Sequence, residues 1–470
     1  MSRQLAMDSI NEYFESGEFF KLLSERVAVR SESQTPEGYP QLSVYLHQHM
    51  IPYLEQMGFT CEVIANPAAD DPNAWPLLLA ERIEDPSLLT LLTYGHGDVV
   101  RGYDNQWKKG LSPWQMIADG DLWYGRGTAD NKGQHSVNLA ALKNLLEVKG
   151  ELGFNVKVLL EMGEETGSPG LDLFCQQYQD RLKSDLFIAS DGPRVGAQYP
   201  TLFLGSRGSM NFDLTIRARE GSHHSGNWGG LLSNSATRLM NAWSCLIDGK
   251  GKILVPELLP TQLPESLREA VQDIPVGTGE YDPELSPDWG EPGLTPAERL
   301  FGWNTLEILA CHAGNPDAPA NAIPGSAVIH AQMRFVVGSQ NEQFLTIIRR
   351  HLQANGFEDV EVTPAAAVMM EATRLDPDDP WVHWAMNSIK ETTGYAASLI
   401  PNLGGSLPNA TFANTLGLPT LWIPHSYPAC LQHGPNEHFL GSVAKQSLQI
   451  MTGIFWDLAE QGLSIKEHRQ

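Results

Sequence analysis

Three short apolar runs, LLTLLTY (88–94), NVKVLLEM (155–162) and SDLFIAS (184–190), alternate with segments of helical periodicity. Few folds accommodate that pattern. Runs of this length read as strands buried on both faces, and QHSVNLAALKNLLEVK (134–149) and PGLDLFCQQYQD (169–180) read as helices between them. The expected fold is α/β, with a mostly parallel sheet flanked by helices. Each strand also runs into a group of potential metal ligands, or onto a nearby one. The first ends in Tyr94-Gly95-His96-Gly97-Asp98, and the third in Ser190-Asp191-Gly192-Pro193. The second ends in Glu161-Met162-Gly163-Glu164-Glu165-Thr166-Gly167-Ser168, and Asp130 sits in GRGTADNKG (125–133) just before a helix. Ligands of open α/β sheets bind outside the carboxyl ends of strands, so these groups should converge in one crevice.

The texture changes near residue 203. NFDLTIRARE (211–220) and AVIHAQMRFVV (327–337) alternate apolar and polar residues, as strands with one solvated face do. Helical patterns occupy 231–248 and 340–356, and a strand-like VEVTP follows at 360–364. The Pro-, Gly- and acid-rich stretch at 255–296 reads as an extended surface excursion. Past 370 the α/β pattern returns and ends in a helix. The simplest organisation is a catalytic domain of residues 1–202 and 371–470, interrupted by an inserted α+β lid or dimerisation domain at 203–370.

A histidine and several carboxylates without cysteine make a site suited to Zn²⁺, Mn²⁺ or Co²⁺. Taken singly, each residue has an ordinary structural reading: a loop histidine, a solvated acidic pair, an acid beside a helix N-cap. Adjacent acids directly after a buried strand are harder to explain that way. Burying two carboxylates side by side costs several kcal/mol unless a cation offsets them. The five cysteines are scattered, with no CxxC pair, which argues against thiol zinc sites and disulfide frameworks and for a reducing, cytoplasmic setting.

Together, HGDVV (96–100), GRGTADNKG (125–133), EMGEETGSPG (161–170), SDG (190–192) and HGPNE (433–437) resemble, in order, the motifs of the M20 family of dinuclear metallopeptidases. That family includes carnosine-type dipeptidases, carboxypeptidase G, aminoacylase and acetylornithine deacetylase. The resemblance implies two divalent ions per chain, Zn²⁺ first among them. His96 and Asp191 would each bind one ion, Glu165 and His433 the other, and Asp130 would bridge them through a loop with a cis Asp130–Asn131 peptide. Glu164 would be the general base, and Asp98 would orient the His96 imidazole. His433 is selected by the PNE that follows it; by itself it stands no higher than His135, His312 or His425.

The inserted region has matching elements too. HHSGNWGG (223–230) resembles a segment whose histidine reaches the partner subunit's active site and stabilises an oxyanion; His224 is the better match and His223 the fallback. NAIPGSAVIHAQMRFV (321–336) places Asn321 at a strand start and Arg334 on that strand, where a guanidinium would bind a substrate carboxylate. Gly404-Gly405-Ser406-Leu407-Pro408 resembles the carboxylate-holding loop of the dipeptidase branch, through Gly405 and Ser406.

The expected activity is hydrolysis of an amide beside a free carboxylate, by a dipeptidase or related exopeptidase. An N-acyl amino acid deacylase is the alternative, because the catalytic residues do not separate the two. A metal-binding protein without hydrolysis would be expected to lack the base or a ligand, and all are present. A serine hydrolase is disfavoured because no GxSxG occurs. With 32 basic and 56 acidic residues the chain has a net charge of −24, which argues against nucleic acid and anionic membranes as partners. No stretch reaches the roughly 18 apolar residues of a membrane span, and the N-terminus does not read as a secretory signal. The partners expected are a small peptide or N-acyl amino acid, and a second copy of the chain bound through the insert.

Overall fold

The computed structural model describes residues 1–278, 283–365 and 369–469; residues 279–282, within the stretch read as an excursion, and 366–368 lie outside the described residues. The three apolar runs form adjacent strands, Asn155–Glu161, Thr90–His96 and Leu186–Ala189, in an eight-stranded sheet. Leu77–Arg82 and then Thr60–Ile64 extend it on one side. Thr420–Trp422, Thr201–Phe203 and Ser398–Ile400 extend it on the other. Four of the seven neighbouring pairs are parallel, including those among the three central strands. The antiparallel pairs flank that centre.

Successive residues of these strands feed two different cores, as the period of two requires. Leu78, Ala80 and Leu91 pack beneath the helices Arg3–Glu15, Lys132–Lys149 and Gly441–Arg469. Leu77, Leu79, Leu92 and Tyr94 point the other way, toward Leu171 and Phe174 of the helix Leu171–Gln177. The helix read over 169–180 is two pieces, broken at Tyr178 before Gln179–Leu182.

A second, antiparallel sheet has the order Thr305–His312, Ser326–Phe335, Gly208–Arg217, Glu361–Pro364. Met210, Phe212, Leu214 and Ile216 alternate into its core with Ile329, Ala331, Met333 and Phe335. The helices Ser235–Trp243 and Phe344–Ala354 cover that face. The other face carries Asn211, Gln332 and Glu307 in register across three strands.

The stretch 255–296 is not only a surface excursion. It contains the helix Glu265–Val271, whose Leu267 and Val271 are buried with Phe301 against the large sheet, not the small one. Thr295 and Glu298 cap the next helix, Pro296–Gly302, by reciprocal side-chain to backbone hydrogen bonds. Ordinary helix-start chemistry thus lay inside a segment whose Pro and Gly content read as loop. No helix among the described residues is long and apolar enough to cross a membrane.

Candidate metal centre

Because the three central strands lie side by side, the groups that follow them meet at one edge of the sheet. His96 ends its strand, and Asp191 lies two residues beyond Leu186–Ala189. His96 Nε2 stands 3.1 Å from Asp130 Oδ1, 3.7 Å from Asp191 Oδ2 and 3.9 Å from Glu164 Oε2. The other oxygen of Asp130 faces His433, with Oδ2 at 3.1 Å from Nε2, and His433 Nε2 is also 3.1 Å from Glu165 Oε2. Two triads therefore share Asp130: His96, Asp130 and Asp191, and Asp130, Glu165 and His433, each with ligand atoms within 4.8 Å of one another. The Asp130–Asn131 peptide is cis.

Each element of the centre is held from behind. Asp98, fully buried, takes the backbone N–H groups of Glu164 and Glu165 at 3.2 and 3.1 Å, and its Oδ1 lies 3.3 Å from His96 Nδ1. With Nδ1 engaged by Asp98, Nε2 of His96 is left facing the site. Glu437 Oε1 accepts from the backbone N–H of Gly127, Ala129 and Asp130, and its Oε2 accepts from buried Arg126 at 2.6 Å. Behind Asn131, His135 Nδ1 donates to the Asn131 side-chain oxygen and Nε2 accepts from the Tyr45 hydroxyl, while Asn131 Nδ2 donates to Ser190 O. Glu161, in the floor, accepts from Tyr94 OH and Ser168 Oγ, and so pins the far end of the Glu164–Glu165 loop.

The electrostatics fit a cation. Burial raises the carboxyls of Glu164, Glu165 and Asp191, and repulsion from neighbouring carboxylates adds to it; Glu165 is pushed up to about 7 and Asp191 to about 6. Burial acts on Asp130 too, but hydrogen bonds from His433 and His96 hold it below the usual carboxylate range. Oε1 of Glu165 is buried with no hydrogen-bond partner. Three carboxylates and two imidazoles, with an orphaned oxygen among them and no thiol, form a donor set for divalent zinc, manganese or cobalt.

The residues expected to meet substrate fall into two groups. Arg334 Nη1 donates to Ser406 Oγ at 2.7 Å, which joins the small sheet to the Gly404–Gly405–Ser406 loop. His224 and Asn321 come together elsewhere. The strand His223–His224 pairs with Ala322–Ile323, and Ser225 N donates to Asn321 O at 2.8 Å. Both His223 and His224 are exposed, and the hydrogen bond His224 makes is from Gly226 N to its own Nδ1. Neither His224 nor Asn321 belongs to the two triads.

The profile of peptidase family M20/M25/M40 matches residues 92–461. The chain belongs to this family. It is thus a hydrolase, an M20 peptidase. Cys-Gly metallodipeptidase DUG1 of Candida albicans is 30% identical to it over 459 residues, which is 89% of this chain and 90% of that protein. Beta-Ala-His dipeptidase of Mus musculus is 31% identical over 278 residues, and that match spans only 56% of either protein. The crystal structure of human carnosine dipeptidase 1 superposes with a TM-score of 0.77 at 22% identity, over 97% of this chain and all of that one.

Two features of this M20 chain escaped the sequence. Glu437 lies inside the HGPNE motif that selected His433, yet its work on the Asp130 loop is visible only once residues some 310 apart in the chain are brought together. Arg207 stands between glycines in LGSRG, and that setting at the start of a strand was its one local signal.

Proposed function

We propose that this M20 peptidase is a dinuclear-metal dipeptidase acting on an amide beside a free carboxylate, and that residues 1–202 with 371–470 carry the catalysis while 203–370 serve as lid and dimer interface. The observation that carries this reading is the pair of triads sharing Asp130, with Glu164 beside them. His96 and Asp191 would hold one ion, Glu165 and His433 the other, and Asp130 both. Zinc is the favoured metal, with manganese or cobalt as alternatives. When bound, such ions polarise a carbonyl and make a water acidic.

The chain's own groups do the rest. Glu164 accepts the proton of the attacking water and returns it to the leaving nitrogen. Asp98 keeps the loop carrying Glu164 in register with His96 through the two amides it accepts. Arg334 and Ser406, already in contact, receive the substrate's carboxylate, with the backbone at Gly405 beside them. His224 and Asn321, on an exposed ribbon, serve the active site of a second copy, where His224 stabilises the oxyanion. A cytoplasmic setting is part of this proposal, and the five free cysteines are in keeping with it.

Both named relatives above are dipeptidases, and the Gly404–Pro408 loop favours that branch over deacylases. The test is to strip the protein, reload it with Zn²⁺, Mn²⁺ or Co²⁺, and offer dipeptides and N-acetyl amino acids side by side. About two ions per chain and faster cleavage of dipeptides are expected. Faster cleavage of the acetylated set would move the protein to the deacylases.

A further inference from the structure

Residues 163–170 carry Glu164 and Glu165, and the segment 66–75, just before the strand Leu77–Arg82, meets them at both ends. Asn66, 7% exposed, donates from Nδ2 to Trp75 O at 3.1 Å and to Pro169 O at 2.6 Å, while its Oδ1 accepts from Ala68 N. A methyl group on Gly170 would collide with that Oδ1. At the other end the Trp75 side chain lies on Gly163. An added Cβ there would stand 2.9 Å from Trp75 Cβ, 3.0 Å from Cγ and 3.1 Å from Cδ1. Gly163 has a φ of −145°, so left-handed backbone is not what calls for glycine. The indole occupies the space of a side chain.

Trp75 is fixed in turn. Its Nε1 donates to Ser33 O at 3.0 Å, and Tyr39 packs edge-on against it with ring centroids 5.6 Å apart. Ser33 N donates to the carbonyl of Val99, the residue after Asp98. Trp75 thus spans the loop that follows His96 and the loop that carries Glu164, the two that the Asp98 carboxylate also joins. Its own backbone has a φ of 49°, and Pro76 follows it. Neither is favourable: bulky residues avoid positive φ, and proline restricts the residue before it to extended backbone. Such conformations persist where the surroundings over-determine them, and they cluster at functional sites.

We propose that Trp75 is a positioning residue for Glu164: by bearing on Gly163, it sets the direction in which the loop presents the base. The proposal rests on the reading of Glu164 as general base. Asp98 fixes the amides of Glu164 and Glu165, but Gly163, one residue earlier, has no side chain with which to pack, and the indole supplies that contact. Substrate is held elsewhere in this reading, at Arg334 and Ser406, so a misdirected base costs rate and not affinity.

Zn²⁺-loaded Trp75→Ala is expected to keep both ions by elemental analysis and its KM within about twofold, while kcat falls by about 10–100-fold. Trp75→Phe keeps a ring over Gly163 and is expected to recover most of that loss. Gly163→Ala tests the same contact with the indole intact and is expected to lower kcat as well. Adding Trp75→Ala to it makes room for the methyl group, so the double variant is expected to be no slower than the slower single one. Deuterium exchange of the holoenzyme gives a readout apart from activity: peptides covering 163–170 exchange faster in Trp75→Ala, and those covering 186–191 do not. Normal kcat in Trp75→Ala overturns the proposal, as does unchanged exchange at 163–170. So does a loss accounted for by metal content or KM, or losses that multiply in the double variant. Full turnover in Glu164→Gln would instead remove the reading of Glu164 as base, and faster exchange at 163–170 in Trp75→Ala would still uphold Trp75 as the brace of that loop.

Discussion

At the scale of single residues, the centre separates groups that hold from the group that reacts. Glu164 and Glu165 are neighbours in sequence, yet Glu165 Oε2 faces His433 at 3.1 Å while Glu164 Oε2 stands 3.9 Å from His96. Glu164→Gln keeps the shape and removes the proton acceptor. It is expected to retain both ions by elemental analysis while kcat falls by about 10²–10⁴-fold. Normal turnover would return Glu164 to a ligand or a bystander. The acids were legible because they follow buried strands directly, and burial of adjacent carboxylates is costly enough to demand a reason. His433 was not legible in that way. It sits at positive φ on a loop, exposed, and nothing local distinguishes it from His425, which proves to be fully buried against Ser190 and Asn138.

Between residues and the whole lie the loops and strands that carry them. The loop 125–130 is buried throughout, and Glu437 reaches it from the far end of the chain to accept from three of its backbone N–H groups. Glu437→Ala strands those donors and leaves Arg126 buried without its partner. A loss of about 3–5 kcal/mol in denaturant unfolding is expected, together with metal affinity weaker by about 10–100-fold. Unchanged affinity with lowered stability would mean that the loop is ordered by something else. Sequence periodicity found the three central strands and, in the second sheet, Gly208–Arg217, Ser326–Phe335 and Glu361–Pro364, but not the buried strands Leu77–Arg82 and Thr420–Trp422. It missed Thr305–His312, where six successive residues from Glu307 onward are exposed in the single chain, so no alternation was written into them. It also missed the helix Glu265–Val271, because seven residues among prolines carry too little period to stand out.

For the molecule as a whole, that exposed edge matters. Ile308 and Leu309 are 39% and 56% exposed on a strand with one side unpaired, a surface that folded proteins generally cover. With His224 also exposed and part of neither triad, pairing through the small sheet would satisfy both. Sedimentation is expected to give a two-chain species. Leu309→Glu is expected to yield single chains that keep their metal and lose turnover. Full activity in single chains would end the role of His224 across an interface. The hydrogen bond between Arg334 and Ser406 has a different bearing. It ties the two sheets together through the same guanidinium proposed to meet the substrate's carboxylate. Binding there is an exchange of acceptors rather than the gain of one. The charged end of the peptide is therefore recognised without being gripped, and the amino acid released by cleavage departs without leaving that arginine stranded.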